Sequence, residues 1–145
     1  MELNKKVAII TGSAQGLGKA FAARLLKEGA KVCISDVNKD KGEAALCELQ
    51  EKFGAENVHF VSCDVTSDEQ FRNLFNKTEE YFKAGCVDIL VNNAGINTNY
   101  GWRKCMNVNI MAVMNGTEIA LERMTMSGKP CQIINTASMG NNTSV

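Results

Sequence analysis

The chain has 145 residues, 45% of them hydrophobic, and its 16 Lys plus Arg balance 16 Asp plus Glu. A chain of this length buries roughly two-thirds of the surface its unfolded state exposes, so the expectation is a single domain over 1–145. Balanced charge offers no basic field for nucleic acid, and no apolar run approaches the ~20 residues of a membrane span. The N-terminal Met-Glu-Leu-Asn-Lys-Lys leads straight into the first apolar run and leaves no room for a signal peptide, so a cytoplasmic protein is expected. The six cysteines are scattered without a C-x-x-C pair and read as reduced, mostly buried thiols. His59 is the sole histidine, which argues against a Ser-His triad or a His-based zinc site; no metal is expected.

The first predicted strand, 7–11, is a short apolar run rich in β-branched residues. It ends in the turn Gly12-Ser13-Ala14-Gln15-Gly16-Leu17-Gly18, which opens a predicted helix over 17–28. A buried strand, a Gly-rich loop and a helix N-terminus together form an anion site suited to dinucleotide phosphates. Gly12 suits a tight turn with positive φ. Gly16 lets the backbone approach a pyrophosphate, and Gly18 lets helix and strand pack closely.

The second strand, 31–36, closes on Asp36, followed by Val37. This acid lies about 20 residues past the glycines, where a carboxylate accepts hydrogen bonds from an adenosine ribose. It would repel a 2′-phosphate, and no Arg or Lys is expected beside it, so NAD is expected rather than NADP. An Asp here could instead cap the next helix, predicted over 39–53. The third strand, 57–63, runs into Cys63-Asp64-Val65. At that carboxyl end Asp64 can accept from an adenine amino group, or simply cap a turn or helix. A third helix is predicted over 67–84, with Ser67 as its cap.

The fourth strand, 87–92, ends in Asn92-Asn93-Ala94-Gly95. Its small residues leave room for a flat ring system, and the Asn amides can tie neighbouring strand ends together. Standing alone, the segment would be an ordinary turn. A long helix is predicted over 102–127 and a fifth strand over 131–137. This alternation predicts an α/β fold: a doubly wound, Rossmann-type parallel sheet with right-handed crossovers and five strands.

The four features in order, Thr11-Gly-Ser-Ala-Gln-Gly-Leu-Gly18, Asp36, Cys63-Asp-Val65 and Asn92-Asn-Ala-Gly95, resemble the short-chain dehydrogenase/reductase family over the entire chain. Their T-G-x-x-x-G-x-G and N-N-A-G motifs are highly specific in combination. Within the family the chain looks most like NAD-dependent dehydrogenases of prostaglandin-like lipids and insect-type alcohol dehydrogenases. The resemblance implies oxidation of a hydrophobic secondary alcohol, such as a hydroxylated fatty acid, to a ketone. By the same resemblance Asn109 matches the helical Asn that holds a water in a proton relay, with Asn107 a nearby competitor. Ser138 matches the Ser that hydrogen-bonds the reacting oxygen. The family's Tyr-x-x-x-Lys falls about a dozen residues past that Ser, and this sequence reaches only Val145. The expectation is therefore a chain carrying the cofactor portion and half of the catalytic set, with the C-terminal part of the fold not included. The resemblance also implies a homodimer in the complete form. A truncated, non-catalytic NAD-binding or dimerising form is the alternative. A nucleotide-fold methyltransferase is disfavoured by Asn92-Asn-Ala-Gly95.

Overall fold

A computed structural model describes residues 2–138. Strands β1 (Val7–Thr11), β2 (Lys31–Asp36), β3 (Val58–Ser62), β4 (Ile89–Asn92) and β5 (Gln132–Asn135) form one sheet. Every pairing is parallel, in the order β3-β2-β1-β4-β5. Helices α1 (Gly16–Lys27), α2 (Lys39–Phe53), α3 (Asp68–Phe82), α4 (Trp102–Met106) and α5 (Ala112–Ser127) make the crossovers. The expected doubly wound architecture is the observed one.

Side-chain alternation in the strands divides the interior into two layers. Val7 and Ile9 of β1 point to one face, with Cys33, Val61 and Leu90, under Phe71, Leu74 and Phe75 of α3 and Ile119 of α5. Ala8 and Ile10 point to the other, with Val32, Ile34 and Val91, under Ala22 and Leu26 of α1 and Ala45 and Leu49 of α2. All five β1 residues are buried, which is why this strand reads as a continuous apolar run.

Several boundaries differ from the sequence reading. β4 starts at Ile89, not at 87, and Asp88 ties its entrance to β1. Its carboxylate accepts from the Val7 N–H and from Lys6 Nζ, each at 2.9 Å. β5 covers only four residues, and Ile134 is half exposed. The helix expected over 102–127 is interrupted by a π-helical turn, Asn107–Met111, where the Ala112 N–H bonds the Asn107 carbonyl. Two short 3₁₀ turns, Ala55–Asn57 and Thr98–Tyr100, lie in connections that carry no predicted helix. Ser67 caps α3 as expected, accepting from the Gln70 N–H. No helix among the described residues is long and apolar enough to cross a membrane.

Candidate functional site

The strand order reverses direction between β1 and β4, and a cleft of about 900 Å³ opens at the carboxyl ends of the strands there. This is where open α/β sheets take their ligands.

The first wall is the turn after β1. Gly12 has φ +62, and a Cβ on it would stand 2.6 Å from Ala94 Cα. Left-handed backbone and close approach both demand glycine there. Gly16, also in the left-handed region, has nothing within 4 Å of a notional Cβ, so the space above it is open cleft. Gly18 is the opposite case: a Cβ would meet Asn93 Nδ2 and the Gly12 carbonyl oxygen at 2.5 Å. Helix α1 begins at once, with Gln15 as an extended N-cap that makes no side-chain cap bond and no acid in the first turn. Its first N–H groups are thus free to receive an anion, with the helix dipole behind them.

Asp36 forms the second wall. Oδ2 accepts from the Ala14 N–H at 3.1 Å, and Oδ1 accepts from the Asn38 N–H at 3.0 Å. A carboxylate offers about four lone-pair positions, so each oxygen keeps capacity for a further donor. Asp36 does not cap α2; Asn38 does, accepting from the Lys41 N–H at 3.0 Å. Lys41, one turn into α2, lines the same cleft and donates from Nζ to Gln15 Oε1 at 2.8 Å.

Farther along, Cys63, Asp64 and Val65 line the cleft beside the exposed side chains of Val37 and Leu17. Asp64 Oδ1 closes a turn by accepting from the Thr66 N–H at 2.9 Å and Oγ1 at 2.7 Å. Its Oδ2 has no partner among the described residues. The Cys63 thiol is pushed up to about 12 by burial first and by the Asp64 carboxylate second, so it stays protonated.

Asn93, Ala94 and Gly95 close the far wall. Asn93 Nδ2 donates to the carbonyls of Thr11 at 3.1 Å and Gly12 at 3.0 Å, fixing the end of β4 to the turn after β1. The Thr11 hydroxyl accepts from the N–H groups of Asn93 and Ala94. Asn92 plays the same part toward β5, donating to Asn135 Oδ1 at 2.9 Å.

Two of the expected cofactor residues do not line the cleft. Ser13 is fully buried, and its hydroxyl donates to the Ile10 carbonyl at 2.6 Å and accepts from the Ser35 N–H at 2.9 Å. It staples β1 to β2. Ala14 is buried and offers its N–H to Asp36. Asn109 does not line the cleft either; Asn107 and Val108 do. The Asn109 carboxamide accepts from the Ile96 N–H and donates to the Ile96 carbonyl, both at 2.8 Å. Ser138 is exposed, beyond the end of β5. Among the described residues, no three His, Cys, Asp or Glu side chains converge to hold a metal.

A glycine turn feeding an uncapped helix, an acid at the end of β2 and an Asn-clasped β4 define an α/β nucleotide-cleft protein. The chain belongs to the short chain dehydrogenase family, whose model matches residues 6–145. It is 42% identical to 15-hydroxyprostaglandin dehydrogenase [NAD(+)] of Macaca fascicularis over 141 residues, 96% of this chain and 52% of that protein. It is 38% identical to an NADP-dependent (R)-specific alcohol dehydrogenase of Lentilactobacillus kefiri, covering 94% of this chain and 56% of that one. A short chain dehydrogenase/reductase from Burkholderia phymatum, solved in complex with NAD, superposes with a TM-score of 0.86 at 30% identity, covering 95% of this chain and 50% of that chain. The chain spans about half the length of the curated relatives it matches.

Proposed function

We propose that the cleft binds NAD and that the protein oxidises a hydrophobic secondary alcohol, of the hydroxylated fatty acid or prostaglandin-like kind, to a ketone. The observation that carries the cofactor reading is Asp36. Its carboxylate is tethered to the glycine turn through Ala14 yet keeps acceptor capacity toward the cleft, as two ribose hydroxyls require. The residues present fit the group. The uncapped start of α1 suits a pyrophosphate, and the open space over Gly16 admits it. Val37 and Leu17 offer apolar surface to a flat base, and the free Asp64 Oδ2 an acceptor for its amino group.

When bound, NAD supplies a hydride acceptor for the carbinol hydrogen. Ser138 and Asn109 are the two members of the family's catalytic set that fall in this sequence. Ser138 would hydrogen-bond the reacting oxygen. Asn109, committed to Ile96, would act by holding the loop and the π-helical turn that a relay water would meet. The substrate class rests on the names of the relatives. A homodimer through the α4–α5 segment belongs to the same reading, since Met111, Met114 and Leu121 are more than half exposed there.

Titration calorimetry with NADH and NADPH on the wild type and Asp36→Ala tests the cofactor reading. NADH should bind more tightly than NADPH to the wild type, and Asp36→Ala should weaken NADH and relax the discrimination. Tighter NADPH binding by the wild type would refute it.

A further inference from the structure

The dipeptide Ala14-Gln15 stands between two opposite charges. On one side the Asp36 carboxylate accepts the Ala14 N–H at 3.1 Å; on the other the Lys41 ammonium donates to Gln15 Oε1 at 2.8 Å. All but Ala14 line the one cleft. The geometry follows from chain connectivity. Asp36 ends β2, Asn38 caps α2, and the first turn of that helix brings Lys41 back over the residues that precede α1. Gln15 is the N-cap of α1 but its side chain makes no cap bond, so its carboxamide oxygen is free to orient the lysine.

We propose that Lys41 is a second determinant of cofactor choice, a cation that opposes Asp36 at the adenosine ribose and gives the site a residual affinity for a 2′-phosphate. This rests on the reading of the cleft as a dinucleotide site. Asp36 alone would make the ribose end purely anionic and reject a phosphate by like-charge repulsion. With Lys41 anchored on Gln15, the residue after the one that Asp36 holds, a positive charge faces the same cleft and offsets the carboxylate at longer range. What remains is local: hydroxyl donors are accepted by Asp36, and a phosphate oxygen is within the reach of a lysine side chain. Preference for NAD is therefore a difference between two opposed side chains, and either can be removed separately. The charge pair carries a further consequence. Removing Asp36 does more than relax discrimination, because it leaves Lys41 without the carboxylate that opposes it at the ribose and turns the preference toward NADP.

The test is the ratio of NADPH to NADH dissociation constants for the wild type, Lys41→Gln, Lys41→Arg, Asp36→Ala and the Asp36→Ala/Lys41→Gln double variant, at two salt concentrations. Lys41→Gln should weaken NADPH about tenfold, the scale of one charge-assisted contact near a surface, and NADH by less than about twofold. Lys41→Arg should keep the wild-type ratio, because the charge remains. Asp36→Ala should favour NADPH, and the double variant should lose that gain; raising salt should shrink the differences. An unchanged ratio in Lys41→Gln, or equal weakening of both cofactors, overturns the role of Lys41. If that happens while Asp36→Ala still shifts the ratio, the dinucleotide reading stands. If Asp36→Ala alters neither cofactor, the reading itself falls. Lys41 is exposed, and thermal melts will confirm that its variants stay folded.

Discussion

Asn109 grips both polar groups of the Ile96 backbone, its carboxamide accepting the N–H and donating to the carbonyl at 2.8 Å each. A residue in the π-helical turn thus fixes the loop that leaves the Asn-Asn-Ala-Gly wall. Asn109→Ala deletes both bonds. The expected loss is about 1 kcal/mol of stability, and the Ile96 amide should exchange faster with deuterium. Exchange at Ile96 as slow as in the wild type would show that other contacts hold the loop.

The glycines of the turn should separate by type of damage. Gly18→Ala forces a methyl against Asn93 Nδ2 and the Gly12 carbonyl, where backbone cannot yield by rotation. It should cost about 1–3 kcal/mol, read by urea unfolding. Gly16→Ala meets no atom, so its structural cost is that of left-handed backbone, about 1–2 kcal/mol. Its methyl enters the cleft, however, and NADH affinity should fall further than stability does. Equal NADH binding by Gly16→Ala and the wild type would remove the turn from the cofactor site.

Much of this was legible in the chain because short, fully buried parallel strands announce themselves. β1 and β2 lie where the apolar runs put them, and Asp36 is at the carboxyl end of its strand. What stayed hidden depends on side chains choosing partners across the fold. Ser13 sits inside a phosphate-loop pattern, yet its hydroxyl turns inward to β2. Lys41 is five residues past Asp36 in sequence and returns to the cleft only because α2 starts where it does. The π-helical turn shifts hydrogen bonds by one residue without altering the residue types that make a helix.

His59 gives a pH dependence with a definite sign. It lies on edge strand β3, stacked on Tyr81 with centroids 4.0 Å apart. Burial first, then the Lys77 ammonium, holds its imidazole below the ordinary 6.5. The unfolded chain therefore takes up a proton more readily than the folded one. The stabilisation is complete above pH 6.5, declines as pH falls through that value, and levels off below the folded-state value. His59→Phe keeps an aromatic ring against Tyr81 and should flatten this part of the curve. Denaturation midpoints between pH 8 and about 5.5 would decide it; parallel curves would assign the slope to other groups.

Thiol reactivity should divide the cysteines. Burial pushes Cys33 up to about 12, and the same cause puts Cys63 at about 12. Neither offers thiolate at pH 8, whereas Cys47 is exposed. An aromatic disulfide reagent on the native protein should label Cys47 early and leave Cys33 and Cys63 silent until urea unfolds the chain. Mass mapping that finds Cys63 modified in the native state would show that the cleft floor opens.

The Asp88 contact with the start of β1 sets a schedule for folding. Asp88 and Val7 are 81 residues apart in sequence, yet their side-chain bond aligns the central pair of the sheet. On a ribosome, β1 can gather β2 and β3 early, through neighbouring crossovers. Its other edge must wait until Asp88 and β4 have emerged, and until then a strand buried on both faces in the finished protein has one side unpaired. Closing so long a loop is slow, and an open strand edge is the surface on which nascent chains stick to one another. Between the appearance of β3 and that of residue 92, the growing chain therefore carries the open edge of its central strand.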